Sequence, residues 1–185
     1  MANKGKLIIV SGPSGAGKGT VLAEVFKRNA NLRYSVSATT RSPRPGEQHG
    51  IHYFFITKEE FEHKIAHGEM LEYTCYCDNY YGTPADYVEA CRLEGFDVVL
   101  EIEPDGASQV KNRCADSFSI FILPPSFEEL ERRLTGRGTE DPEVVAARIA
   151  QAKNELDCAD EYDFKVVNDQ VERAAIEIDQ IIKNY

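Results

Sequence analysis

The chain has 185 residues, 21 basic and 31 acidic, for a formal net charge of −10, and it is 42% hydrophobic and 28% charged. That length and balance describe one compact domain with at most small insertions, and exclude a disordered or low-complexity scaffold. The acidity excludes a general binder of nucleic acid polymers, whose phosphate contacts need a basic surface, and no apolar run approaches the roughly 20 residues of a membrane span.

The aliphatic stretch at residues 7–10 is too short for a secretory signal core, so a cytoplasmic location is expected. Five scattered cysteines (Cys75, Cys77, Cys91, Cys114, Cys158), an odd number in a chain able to build its own core, predict reduced thiols. The charge is uneven: residues 1–46 hold eight basic side chains against Glu24 alone, a net of +7, leaving −17 for the rest. The first quarter is prepared for anions.

In chain order, residues 6–11 read as a buried strand and residues 18–28, with Val21, Leu22, Val25 and Phe26 on one stripe, as a helix. Between residues 34 and 83 the pattern changes to short β-rich pieces, 52–56 and 70–74, around one helix opened by a capping box at Thr57 and Glu60; this predicts an inserted α+β lobe. Residues 97–102 and 118–123 are further apolar strands, each followed by a helical pattern. Residues 135–141, with two glycines beside Arg137 and then Pro142 to start a helix, form a candidate lid. A strand at 164–167 and a helix at 171–182 complete the series. Such alternation predicts a parallel sheet covered by helices on both faces.

Gly12-Pro13-Ser14-Gly15-Ala16-Gly17-Lys18 lies between the first strand and the first helix and matches the G-x-x-x-x-G-K core of a phosphate-binding P-loop. Glycines are needed because the backbone must wrap phosphate oxygens and aim several N–H groups at them, with a helix N-terminus behind. Lys18 then reaches the β- and γ-phosphates. The residue after the lysine is Gly19, not the usual Ser or Thr, and a hydroxyl comes only at Thr20. The metal expected with ATP, Mg²⁺, is therefore held largely through water and phosphates, with Thr20 as the one candidate side chain. The Gly-Lys-Gly-Thr ending is similar to that of adenylate kinases and points to a nucleotide kinase rather than a motor or GTPase.

A second anion site is suggested by residues 35–47, a string of hydroxyls with Arg41 and Arg44 three residues apart, stiffened by Pro43 and Pro45 and free of acids until Glu47. An arginine pair held this way suits bidentate grip on a phosphate. Continued through Gly50-Ile51-His52-Tyr53-Phe54-Phe55, this stretch resembles the signature of guanylate kinases. The likeness extends to Glu72, to Asn79-Tyr80-Tyr81-Gly82-Thr83, to the Ile-Phe-Ile-Leu-Pro-Pro-Ser run at 120–126, to Arg132-Arg133-Leu134-Thr135-Gly136-Arg137-Gly138 and to Val167-Asn168-Asp169, in order over nearly the whole chain.

The resemblance implies transfer of the γ-phosphoryl of ATP to GMP or dGMP by a three-layer α/β P-loop kinase fold with a parallel central sheet. It implies a core of residues 1–34, 84–134 and 149–185, an inserted α+β GMP-binding lobe of 35–83 and a short lid of 135–148. ATP would lie on Gly12, Pro13, Ser14, Gly15, Ala16, Gly17, Lys18, Gly19 and Thr20, with Asn168 near the adenine. Arg41, Arg44, Tyr53 and Tyr81 would hold the GMP phosphate, and Ser37, Glu72 and Thr83 would read the guanine. Arg133, Arg137 and Arg148 would close from the lid side and, with Lys18 and Arg41, form the catalytic set. Guanine offers adjacent donors, N1–H and the 2-amino group, for which a carboxylate such as Glu72 is the complementary acceptor pair; adenine presents an acceptor at N1.

Glu101-Ile102-Glu103-Pro104-Asp105-Gly106 departs from relatives, which usually read Asp-x-Asp followed by an apolar residue, Gln and Gly. Charge is kept and reach grows by one methylene, so Glu101 and Glu103 are expected near GMP or Mg²⁺. His49-x-x-His52 with Cys75-x-Cys77 offers an alternative zinc set in the lobe. Rival functions are a catalytically silent guanylate-kinase-like interaction domain, against which the intact P-loop argues, and a kinase for a ribose bisphosphate, against which Glu72 and Tyr80-Tyr81-Gly82-Thr83 argue. No membrane partner is expected, and no oligomeric state follows from the sequence.

Overall fold

A computed structural model describes residues 4–135 and 142–185. The elements run β1 (Leu7–Ser11), α1 (Lys18–Arg28), β2 (Leu32–Tyr34), β3 (Ala38–Thr39), β4 (Phe54–Phe55), α2 (Lys58–Ala66), β5 (Met70–Tyr76), β6 (Asn79–Pro84), α3 (Ala85–Leu93), β7 (Asp97–Glu101), α4 (Pro104–Arg113), β8 (Ser117–Leu123), α5 (Phe127–Thr135), α6 (Pro142–Asp157), β9 (Phe164–Val167) and α7 (Val171–Asn184).

One sheet has five strands in the order β2-β7-β1-β8-β9, and a separate one has the order β4-β3-β6-β5. In the first, β2 with β7 and β8 with β9 pair in parallel, as the alternation of apolar strands and amphipathic helices requires. β1, buried at all its positions, is the central strand, and the connection through α1 returns to one side of it while β8 lies on the other. The loop at its carboxyl end is thus at a topological switch point, where open α/β sheets bind ligands. Among the described residues, no helix is long and apolar enough to cross a membrane. All five cysteines are free thiols.

The chain divides into two compact units. Residues 4–8, Asn31–Leu100 and Asp105–Ser117 form the first; Ile9–Ala30, Glu101–Pro104 and Phe118–Tyr185 form the second.

In the first unit, the capping box at Thr57 is complete: its hydroxyl accepts the Glu60 N–H while the Glu60 carboxylate accepts the Thr57 N–H. The small mixed sheet has β3 parallel to β4 and antiparallel to β6, and β5 antiparallel to β6. Its buried Ala38, Phe61 and Met70 are packed by Phe54, Ile56, Ile65, Tyr73 and Tyr80. The expected strand at 52–56 shrinks to Phe54–Phe55, and β2, β3 and β6 are strands that the sequence pattern did not mark. β2 and β3 are too short for an alternation to register, and the polar β6 is a strand because β5 and β3 pair with its two edges.

In the second unit, α1 and α7 pack together, and Leu130 and Leu134 of α5 meet Ala152, Ile149 and Leu156 of α6. That apolar seam fixes the faces on which Arg133 and Arg148 stand.

Candidate active site

The P-loop belongs to the second unit. Gly12 takes a φ of +152°, and a Cβ there would lie 2.3 Å from the Ile122 carbonyl oxygen, so no other residue fits against β8. Gly17, at a left-handed φ of +86°, is the residue from which α1 starts. A Cβ there would stand 2.6 Å from Asn168 Nδ2. The Lys18 ammonium reaches back across the loop to the carbonyls of Gly12 (2.6 Å) and Pro13 (3.2 Å). Burial pushes Lys18 below its ordinary range, opposed by the carboxylates of Glu101, Glu155 and Glu103. The two glutamates after β7 are carried to this neighbourhood by backbone: the Ile102 N–H donates to Val10, and the buried Ser11 hydroxyl donates to the Ile102 carbonyl at 2.7 Å.

Three further predicted residues gather on the same loop. The buried Asn168 amide donates to the Ala16 carbonyl at 2.7 Å. Arg133 points its Nη atoms at the carbonyls of Ala16 and Asn168, both 3.4 Å, while its Nε is held by Glu129 one turn back at 2.8 Å. Arg132 and then Arg133 hold the Glu129 carboxyl down at about 2, so the anchor stays ionised at any working pH. Arg148 Nη2 donates to Ser14 Oγ at 3.2 Å. Thr20 and Gly19 are exposed at the start of α1. Arg137 lies outside the described residues, as do residues 136–141 of the expected lid.

The second group belongs to the first unit. Cys77 and Asp78, at φ of +48° and +60°, make a two-residue turn between β5 and β6, the conformation that matches strand twist in a hairpin. That turn sets the register from Tyr76 opposite Asn79 back to Glu72 opposite Thr83. Directly opposed side chains share a face, and the Thr83 hydroxyl donates to Glu72 Oε1 at 2.6 Å, both residues being buried. Tyr81, two residues before Thr83, lies on that face too. Gly82 between them is pressed so close to β5 that a Cβ would sit 2.4 Å from the Glu72 carbonyl oxygen.

Arg41 is gripped through both Nη atoms by Glu47, each contact 3.0 Å, and Glu47 also accepts the Arg44 N–H at 2.7 Å. The guanidinium lies close enough to Tyr81 to feel its hydroxyl and stands over the Tyr53 ring at 5.6 Å. Tyr53 and Tyr81 meet edge to face. Arg41, Tyr53 and Tyr81 are therefore brought together, whereas Arg44 is exposed and half-buried Ser37 contributes its carbonyl to the Phe54 N–H.

The zinc alternative fails. Among the described residues no group of three or more His, Cys, Asp and Glu side chains could hold a metal. His49 and His52 each spend Nδ1 on accepting a backbone N–H, from Phe55 and Gln48.

Three residues that the sequence reasoning passed over matter here. Glu47 was visible only as the first acid after the two arginines, Glu155 as one acid on an acidic helix. Gly106 had a clue in the family pattern: a Cβ there would lie 2.9 Å from Glu72 Oε2, so glycine leaves the carboxylate its room. Gly106→Ala is expected to raise KM for the nucleotide that the resemblance places at Glu72 by about 10- to 100-fold, the cost of displacing a positioned group by a fraction of an ångström to an ångström. Steady-state kinetics with that nucleotide varied checks it, and an unchanged KM contradicts it.

Glu47 yields a pH prediction. Its carboxyl is drawn from an ordinary 4.5 to about 2, first by Arg41 and then by the Arg44 N–H. A depressed carboxyl contributes stability above its ordinary value and loses it as pH falls toward the folded value. The stability gap between the wild type and Glu47→Gln is therefore expected to be full at pH 7 and to shrink between about pH 4.5 and 2, as read by denaturant unfolding.

A guanylate kinase family model matches residues 4–185. The chain is 54% identical over 184 residues to the guanylate kinase of Streptococcus agalactiae, covering 99% of this chain and 88% of that one. It is 52% identical over 183 residues to that of Lactococcus lactis, covering 99% and 89%. Among solved structures, it is similar to guanylate kinase from Anaplasma phagocytophilum with a TM-score of 0.76 at 32% identity, over 98% of this chain and 86% of that one.

Proposed function

The chain belongs to the guanylate kinase family of ATP:GMP phosphotransferases, and from that premise we propose how its residues divide the work. The P-loop backbone from Gly12 to Thr20 cradles the ATP phosphates, with Lys18 as its mobile cation. Arg41, Tyr53 and Tyr81 hold the GMP phosphate with Arg44 at the rim, and Glu72 reads guanine beside Thr83 and Ser37. The observation that carries this assignment is the Glu72–Thr83 pair. Burying a carboxylate is costly, and a hydroxyl bound to one oxygen orients the group so that its acceptors can meet two adjacent donors.

The acceptor oxygen of GMP is already ionised near neutral pH, so no side chain has to take a proton. Catalysis then rests on positioning and on neutralising charge. Lys18 is supplied from its two carbonyl partners to the phosphates. Arg133, anchored by Glu129, and Arg148, resting on Ser14, stand at the same loop and spread the charge of the transferring group. Arg137 is assigned to the same task, and closure of a lid would exclude water and so prevent hydrolysis of ATP. Asn168 serves the adenine side by steadying Ala16.

The residues present fit Mg²⁺. The direction in which a side chain at Gly19 would project is open, and the oxygens nearby, on Thr20, Glu101 and Glu103, are the hard donors this ion prefers. No all-protein cage is needed for an ion that keeps its waters. Thr20 would hold it, with Glu101 and Glu103 through water; when bound it neutralises charge on the phosphate oxygens.

The test is ADP release in a coupled assay with ATP and Mg²⁺, comparing GMP, dGMP, AMP, UMP and ribose bisphosphate as acceptors. Turnover with GMP and dGMP well above the others is expected; absence of GMP-dependent turnover would overturn the reading. The cytoplasm, where both substrates are present, is the location we infer.

A further inference from the structure

The ATP loop carries a carboxylate for which the reaction has no need. α6 sets Arg148, Gln151 and Glu155 at spacings of three and four residues, so they fall on one face of the helix. Arg148 donates to Ser14 Oγ at 3.2 Å. Glu155 Oε2 accepts the Ser14 backbone N–H, also at 3.2 Å, and its other oxygen is held by Gln151 Nε2 at 2.8 Å. The charge of Glu155 also acts on Lys18. Nothing in the fold of α6 requires this contact, because Ile149, Ala152 and Leu156 already seat the helix against α5.

A carboxylate and a phosphate oxygen compete for the same partners, a loop N–H and an ammonium. We propose that Glu155 is a specificity-determining residue of the donor site, an internal phosphate mimic that competes with the terminal phosphates of ATP for Ser14 N–H and Lys18. This inference rests on reading the P-loop as the ATP site. A triphosphate has the charge to displace Glu155, whereas a monophosphate presents one phosphate group to the same competitor. The device lowers affinity for every nucleotide phosphate at the loop and leaves a useful affinity only to polyphosphates. It keeps the acceptor, a monophosphate abundant in any reaction mixture, off the donor loop.

Glu155→Gln keeps the shape and one acceptor and removes the charge. Calorimetric titration of wild type and Glu155→Gln with ATP and with AMP, both with Mg²⁺, separates the outcomes. The proposal expects Kd for ATP to fall at least threefold in the variant, with a gain for AMP that is at least as large. An ATP Kd that is unchanged or raised, or a gain for ATP that AMP does not share, overturns it. A second measurement uses wild type alone: the side-chain carboxyl ¹³C resonance of Glu155 is expected to move on saturation with ATP, and an unmoved resonance overturns the proposal whatever the variant does. Failure of wild type to bind ATP would instead reject the P-loop reading on which the inference rests.

Discussion

Lys18→Met is expected to lower turnover by about a thousandfold at saturating substrates, the upper range for removal of a single preorganised donor aimed at developing charge. The side chain sits at the neck of the loop, tied to the Gly12 and Pro13 carbonyls, and it is the cation on which the charges of Glu101, Glu155 and Glu103 converge. Methionine keeps the length and the apolar stem and removes only the charge and its three donors. Coupled ADP release measures the loss, and the unfolding midpoint of the variant shows that the fold survives it. A kcat within tenfold of wild type would remove Lys18 from the chemistry. Because burial pushes the Lys18 ammonium below its ordinary 10.5, the wild-type rate is also expected to decline at an alkaline pH lower than that of an exposed lysine.

Glu72→Gln is expected to lower kcat/KM for GMP by about 10²- to 10⁴-fold. Two hydrogen bonds to an ionised acceptor are at stake, each worth roughly 1.5–3 kcal/mol. The amide turns one of the two acceptors into a donor facing a donor, and the Thr83 hydroxyl still claims its 2.6 Å position. The rate with AMP, which has no matching donor pair, is expected to change far less, so the ratio of the two kcat/KM values is the measurement. An unchanged GMP to AMP ratio would take Glu72 out of base recognition and leave the buried carboxylate as a support for the β5–β6 hairpin.

The two sites differ in how they were legible. The P-loop was readable because its function needs consecutive residues in one conformation: Gly12 against the Ile122 carbonyl and Gly17 at the helix start are local demands that leave a contiguous mark. The helix at Lys18–Arg28 matched its predicted bounds for the same reason, its stripe and its preceding glycine both being local. Glu72 had no such mark. Its place opposite Thr83 depends on a turn at Cys77 and Asp78, where a cysteine at a position usually given to Asn or Asp hid the signal. Glu72 could be named in advance only through resemblance to relatives.

Sequence by itself determined the chemistry on offer: a glycine-wrapped anion loop with its lysine, a basic first quarter, an arginine pair in a stiffened segment, and apolar strands that had to become a covered parallel sheet. Periodicity and loop composition are properties of neighbouring residues, so they survive in one dimension. Only the tertiary structure decided which carboxylates meet which cations. Glu47 closes on Arg41, Glu129 anchors Arg133, and Glu155 comes from a helix 141 residues away to accept the Ser14 N–H. In a chain with 31 acidic residues, charge alone cannot choose a partner. The choice is made by backbone register, helix face and the space that a residue such as Gly106 leaves open.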